Sequence, residues 1–230
     1  MVHFPKSPSA PKSLAEEKNK VSGKYNCADV IEQLQKDFKN KCYICEDKEP
    51  HAINVEHFIP HKGDAELKFQ WANLFFCCAH CNNTKGAKQE FDHILNCTTD
   101  ADIDRKIKYW MNPFPMQEIN IAAEVEYAND ANTLSTVQLL KEIYGGTTAT
   151  KKLESDNIRK KLLKEIKNFQ EQLIKYYHEH ESFHVEERNE LRQSIIRELR
   201  AASCFTAFKR WVIRICQYTK DFPETEWANN

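Results

Sequence analysis

The sequence predicts an α+β protein, mainly α, in which a small zinc-supported ββα core precedes an α-helical C-terminal region. Three observations carry this reading. Two Cys-x-x-Cys pairs, Cys42/Cys45 and Cys78/Cys81, bracket two short β-like runs. The cysteine pattern then stops, and from Asp100 onward apolar residues recur mostly at helical spacing. Between the two pairs stand Glu56, His57 and Asn73, with Asn82 directly after the second pair, a set of polar residues that a purely structural module does not need.

Composition narrows the class. The chain has 230 residues, 41% hydrophobic and 29% charged, which is ordinary for a globular protein and enough for one large domain or two small ones. No stretch approaches the apolar length that spans a bilayer, so no membrane association is expected. The start, Met1-Val2-His3-Phe4-Pro5-Lys6, lacks the apolar core of a secretory signal, and a cytoplasmic location is the expectation. Nine cysteines are an odd count in a chain that is not small, so paired knuckles point to metal rather than to a disulfide framework. A net charge of −1 does not advertise nucleic-acid binding, which phosphate neutralisation dominates.

Taken in order, residues 1–26 hold Pro5, Pro8 and Pro11 among lysines and serines and read as an extended arm. Val30, Ile31, Leu34 and Phe38 predict a helix from Cys27 to Phe38 that leads into the first knuckle. Ile53, Val55 and Phe58 predict one strand and Leu74-Phe75-Phe76 a second. A helix over Asn82 to Leu95 follows, with Phe91, Ile94 and Leu95 inward. The unit so bounded runs over 27–98, and 99–230 forms the mainly helical region. There the pattern predicts a short helix over Ala101 to Tyr109 and, after Pro113 and Pro115, a hairpin of Ile119, Ile121 with Val125, Tyr127. Leu134 to Tyr144 reads as a helix stopped by Gly145-Gly146. Ile158, Leu162, Ile166, Phe169, Leu173 and Tyr176 or Tyr177 mark a long amphipathic helix. Its other face carries Arg159, Lys160, Lys161, Lys164 and Lys167. Residues 151–215 hold 15 Lys and Arg against 10 Asp and Glu, so this face is either solvated or follows a nucleic-acid backbone. Leu191, Ile195 and Leu199 mark another helix, and Phe205, Phe208, Trp211, Val212 and Ile215 a last one.

The spacing of each knuckle aims two thiolates at one tetrahedral zinc, and two knuckles make a closed four-cysteine site without an open position for substrate. Such a zinc is structural and supplies folding energy. Cys77 and His80 offer a competing Cys-x-x-His pair; Cys78 and Cys81 are preferred because they match the pair upstream. Four buried thiols without metal are the plainer alternative. For phosphodiester hydrolysis, a neutral imidazole such as His57 suits a general base, and Glu56 offers a hard oxygen for Mg²⁺ or Mn²⁺. Adjacent side chains of a strict strand face opposite ways, so both serve one site only at a bend or strand end, which Pro60 favours. Each residue alone has an ordinary explanation: a lone histidine is usually structural, and Asn82 alone reads as a helix cap.

In this order and spacing the residues resemble the zinc-supported HNH nucleases, with their ββα-metal fold. The resemblance implies Glu56 and Asn82 as catalytic-metal ligands, His57 as general base and Asn73 as the residue that orients it. Glu stands here where Asp is commoner and Asn82 where His is commoner; both are oxygen donors suited to a hard cation. Lys85 is placed to contact phosphate or to be a solvated lysine, and His61 and His80 to touch phosphate or metal or simply to lie at the surface. The wording Glu56-His57-Phe58-x-Pro60-His61 and Trp71-x-Asn73-Leu74-Phe75 through Cys81-Asn82-x-x-Lys85-Gly86 is similar to a bacterial subfamily of retron and Septu anti-phage systems, as is the Ile143–Thr148 turn. There the nuclease works with an ABC/SMC-like ATPase of the Septu A type. The expected function is therefore a metal-dependent endonuclease of antiviral defence acting on DNA. An RNA (tRNA)-cleaving effector with the same site, or a non-catalytic zinc-dependent binding module, are the alternatives.

Overall fold

The computed structural model describes residues 1–111, 118–178 and 184–227. Its first third is built on the two knuckles. Helix α2 (Ala28–Asp37) buries Val30 and Leu34 and delivers the chain to the Cys42/Cys45 turn. Strand β1 (Ile53–His57) pairs antiparallel with β2 (Leu74–Cys78), in a register that sets Ile53 opposite Cys78 and His57 opposite Leu74. The hairpin thus has a cysteine end and a histidine end. Its connection carries helix α3 (Ala65–Phe69), capped by the Asp64 carboxylate, which accepts from Glu66 N at 2.7 Å. Every residue of β2 is buried, as its unbroken apolar run requires.

The next helix, α4, departs from the expected span. It covers Ala79–Lys85 rather than 82–95. It starts early because Cys78 sits in extended backbone and its sulfur accepts from Cys81 N at 3.4 Å. It stops at Gly86, whose φ of 53° lies in the left-handed region, so Phe91, Ile94 and Leu95 pack from a short 3-10 turn and the loop after it. The order strand, loop, strand, helix is nonetheless the one expected.

The second sheet also corrects the sequence reading. The helix expected over 101–109 is only α5 (Ile103–Lys106), and Ile107–Met111 is strand β3. Its partner is β4 (Ile119–Ala123), with Tyr109 opposite Ile121, while Val125–Tyr127 is a 3-10 turn instead of a hairpin arm. Ile107 and Tyr109 are buried alternate residues, a period of two that outweighs the helical look of the segment. Pro113 and Pro115 lie outside the described residues. Helices α6 (Ala131–Gly145), α7 (Ala149–His178), α8 (Val185–Leu199) and α9 (Thr206–Ile215) follow the expected apolar spacing. Gly146, at φ 72°, ends α6.

One apolar cluster joins Met1, Val2 and Phe4, the hairpin, α6, the first half of α7 and α9; a second holds Phe169, Leu173, Ile195, Ile196, Phe222 and Trp227. Residues 1–26 are therefore not an extended arm. Phe4 N donates to Cys97 O at 2.8 Å, and Lys12–Lys18 forms helix α1, pinned to α2 where Ser13 Oγ donates to Asp29 at 2.6 Å. The apolar residues of this segment are too few and too widely spaced to show periodicity, yet Met1, Val2, Phe4 and Leu14 are all buried. Among the described residues no helix is long and apolar enough to cross a membrane.

Candidate active site and four-cysteine centre

The sulfurs of Cys42, Cys45, Cys78 and Cys81 all lie within 4.8 Å of one another and are buried. Cys45 and Cys78 sulfurs are 3.9 Å apart, close to the ~3.8 Å edge of a tetrahedron with Zn–S bonds of about 2.3 Å. The quartet therefore fits a four-thiolate zinc. Burial opposes ionisation of Cys42, but hydrogen bonds from Cys45, Cys77, Cys78 and Cys81 prevail and hold it well below the usual thiol value. Burial and contact with its neighbours push Cys81 well above it. All four ionise together only beside a cation. Cys77 touches Cys42 at 3.8 Å from outside the quartet.

The C-terminal helices brace this centre. Tyr144 donates its hydroxyl to Cys45 O at 2.9 Å. His80 places Nε2 3.0 Å from Ile143 O and Nδ1 2.6 Å from the Glu154 carboxylate, so both ring nitrogens face acceptors on α6 and α7 and neither faces a ligand. The buried Lys41 ammonium reaches Glu46 (3.1 Å), Ala201 O (2.8 Å) and Thr206 Oγ1 (3.0 Å), tying the first knuckle to α9. On the basic face of α7, Lys161 is spent on Asp47 at 2.7 Å, and Arg159 on Asp156 and Tyr144 O, while Lys160 and Lys164 stay exposed.

His57 ends β1 at the far end of the hairpin. Its Nε2 lies 3.0 Å from the Lys68 carbonyl oxygen. A carbonyl only accepts, so Nε2 carries the hydrogen and Nδ1 keeps its lone pair. Burial lowers the His57 pKa below 6.5, and the bond to Lys68 only partly offsets this, so the ring is neutral near pH 7. The Tyr25 ring meets it edge-on at 4.5 Å and the His61 ring lies at 4.6 Å. Asn73 is buried and touches the loop on three sides: it accepts from Ile59 N (2.7 Å) and donates to Ile59 O (2.9 Å) and Leu67 O (3.1 Å). It thus fixes the peptide beside the very carbonyl that orients His57, without touching the imidazole.

Glu56 points elsewhere. It is buried, and its Oε1 accepts from Lys85 Nζ at 2.9 Å. The same ammonium donates to Phe58 O at 3.0 Å and His57 O at 3.3 Å. Lys85 is 1% exposed, so it is not the surface phosphate contact that its place in the sequence suggested; its charge is spent as an internal pin between α4 and the end of β1. Burial raises the Glu56 pKa, and Lys85 counteracts that. Asn82 lies one turn before Lys85 on the same side of α4, half-buried, and its carboxamide makes no hydrogen bond among the described residues. The carboxylate and the carboxamide are both hard oxygen donors of the kind Mg²⁺ or Mn²⁺ takes, and Glu56 already faces a cation, the Lys85 ammonium.

The model of the HNH endonuclease family matches residues 42–88, the span from the first knuckle to just past α4. This segment is an HNH endonuclease domain. A relative, Septu protein PtuB of Bacillus thuringiensis, is 32% identical over 116 residues, which is 44% of this chain and 44% of the relative. The chain thus matches under half the length of that protein. Sequence reasoning about the HNH domain overlooked Lys68, which acts through its backbone and leaves no side-chain signal. It also overlooked Tyr25, which comes from outside the domain.

Proposed function

We propose that the chain is a metal-dependent nuclease of bacterial anti-phage defence that hydrolyses phosphodiester bonds in DNA. The observation that carries this reading is the His57 tautomer, with Nε2–H tied to Lys68 O and Nδ1 left as the base, inside an HNH domain. Nδ1 takes a proton from the attacking water, and the locked ring orientation keeps its lone pair aimed during that transfer. Asn73 acts as a positioning residue by holding the 59 and 67–68 peptides. Glu56, on exchanging the Lys85 ammonium for the ion, and Asn82 would hold Mg²⁺ or Mn²⁺, which would supply positive charge to the phosphoryl and leaving oxygens. The cysteine quartet holds a structural zinc that fixes the other end of the hairpin.

Similarity to Septu protein PtuB supports a place in defence and, with it, regulation by an ABC/SMC-like ATPase partner in the bacterial cytoplasm. A near-neutral chain gains little from phosphate steering alone, which suits delivery of nucleic acid by a partner. End analysis of the products tests the chemistry: the chain with Mg²⁺ or Mn²⁺, alone and with the ATPase, is expected to leave 5′-phosphate and 3′-hydroxyl ends on DNA. Products with 3′-phosphates, or cleavage confined to RNA, contradict the reading.

A further inference from the structure

Beside His57 stands a second imidazole in a complementary state. The His61 ring centroid is 4.6 Å from that of His57. A tight turn presents it: Asp64 N donates to His61 O at 2.7 Å, and the two residues between, Lys62 at φ 46° and Gly63 at φ 91°, are both left-handed. That conformation is free for Gly63 but unfavourable for Lys62, so the hydrogen bonds of Asp64 N and Gly63 N to His61 hold the turn against a local preference. Gly63 N donates to His61 Nδ1 at 3.1 Å. Nδ1 is therefore an acceptor, and the hydrogen of the neutral ring sits on Nε2. Among the described residues nothing accepts that hydrogen. The ring is half-buried, with a face on His57. The pair thus offers one free lone pair, on His57 Nδ1, and one free N–H donor, on His61 Nε2. Phosphodiester hydrolysis uses one of each: an acceptor for the proton of the attacking water and a fixed donor for the negative oxygens of the phosphorane-like transition state.

We infer that His61 is a further catalytic residue, whose Nε2–H donates a hydrogen bond to a phosphodiester oxygen placed against His57; the inference rests on the nuclease reading above. His61 works as the neutral tautomer, so it transfers no proton and its bond to Gly63 N stays intact. Lys62, whose ammonium is 3.6 Å from Asp92, is turned to a different partner and does not replace it.

The test uses the full chain in two assays. In the first, plasmid cleavage is compared for wild type, His57→Ala, His61→Ala and His61→Gln. His61→Ala is expected to lower kcat/KM about 10- to 100-fold, as for a lost hydrogen bond to a charged group, and His61→Gln to recover part of it because its amide can still donate. In the second, a fluorescently labelled duplex oligonucleotide in Ca²⁺ is bound to His57→Ala and to His57→Ala/His61→Ala. The double variant is expected to bind about 10-fold more weakly. With no base left to position, that loss reports a direct contact with phosphate. Equal binding by the two overturns the inference even where His61→Ala cleaves slowly, since His61 then acts only through His57. Wild-type cleavage by His61→Ala beside a dead His57→Ala overturns it while leaving the nuclease reading standing. Full cleavage by His57→Ala, or a wild type that neither binds nor cuts, removes that reading and this inference together.

Discussion

Asn73 grips Ile59 from both sides, accepting from its N–H at 2.7 Å and donating to its carbonyl at 2.9 Å. The second residue after β1, the strand that ends in His57, is thereby locked to the residue just before β2. The third bond, to Leu67 O at 3.1 Å, extends the lock to the peptide next to Lys68. The orientation of His57 is thus set by backbone that one buried carboxamide organises.

Asn73→Ala leaves the Ile59 N–H and two carbonyls without their partner. A stability loss of about 1–3 kcal/mol is expected in urea melts, with the fold retained. Cleavage is expected to fall about 100-fold, more than the folded fraction accounts for. A variant that keeps wild-type turnover shows that the loop is held without it.

The pH profile follows from the base. His57 must be neutral to accept a proton, and burial lowers its pKa from 6.5, so protonation silences it only at more acidic pH than it would a free histidine. Initial rates measured against pH at constant ionic strength are expected to be flat at neutral pH, with an acidic limb whose midpoint lies below 6.5. A midpoint above that value contradicts the assignment.

Lys85 and Glu56 form a buried pair, 1% and 7% exposed at the side chain. Lys85→Met strands the carboxylate and is expected to cost about 3–5 kcal/mol in chemical denaturation. Adding Glu56→Gln is expected to restore most of that, because neither partner then carries an unpaired charge. A Lys85→Met protein as stable as wild type shows that the ammonium is not the pin described.

Metal analysis separates the five neighbouring cysteines. The purified chain is expected to carry one zinc, lost in Cys78→Ser and retained in Cys77→Ser, since Cys77 meets only the Cys42 corner of the quartet. Chelation under mild denaturant is expected to unfold the knuckles and lower the melting temperature. Zinc that survives Cys78→Ser contradicts the quartet.

The first two strands, the knuckles and α6 to α9 were legible because each rests on a local rule: β-type apolar runs, Cys-x-x-Cys spacing or a 3.6-residue period. The cysteine register was legible too, and the structure places Cys78 and Cys81 in the quartet while His80 turns to Ile143 and Glu154. What failed was set by distant partners. Ile107–Met111 becomes a strand because Ile119–Ala123 pairs with it, and residues 1–26 fold down because Phe4 finds Phe38 at 5.4 Å. Lys85 looked exposed because a helix position alone does not show that Glu56 lies beneath it. The Lys68 carbonyl is the extreme case, since any residue at that position supplies the same oxygen.

Above all, His57 is proposed as the base of a metal-dependent nuclease. Nicking of supercoiled plasmid by the purified chain, alone and with the proposed ATPase, tests that role most directly in Mg²⁺, Mn²⁺ and EDTA beside His57→Ala. The expected result is metal-dependent nicking that EDTA and His57→Ala both abolish, with the variant's melting curve unchanged. Nicking that survives in a folded His57→Ala protein contradicts a role for His57 as the base.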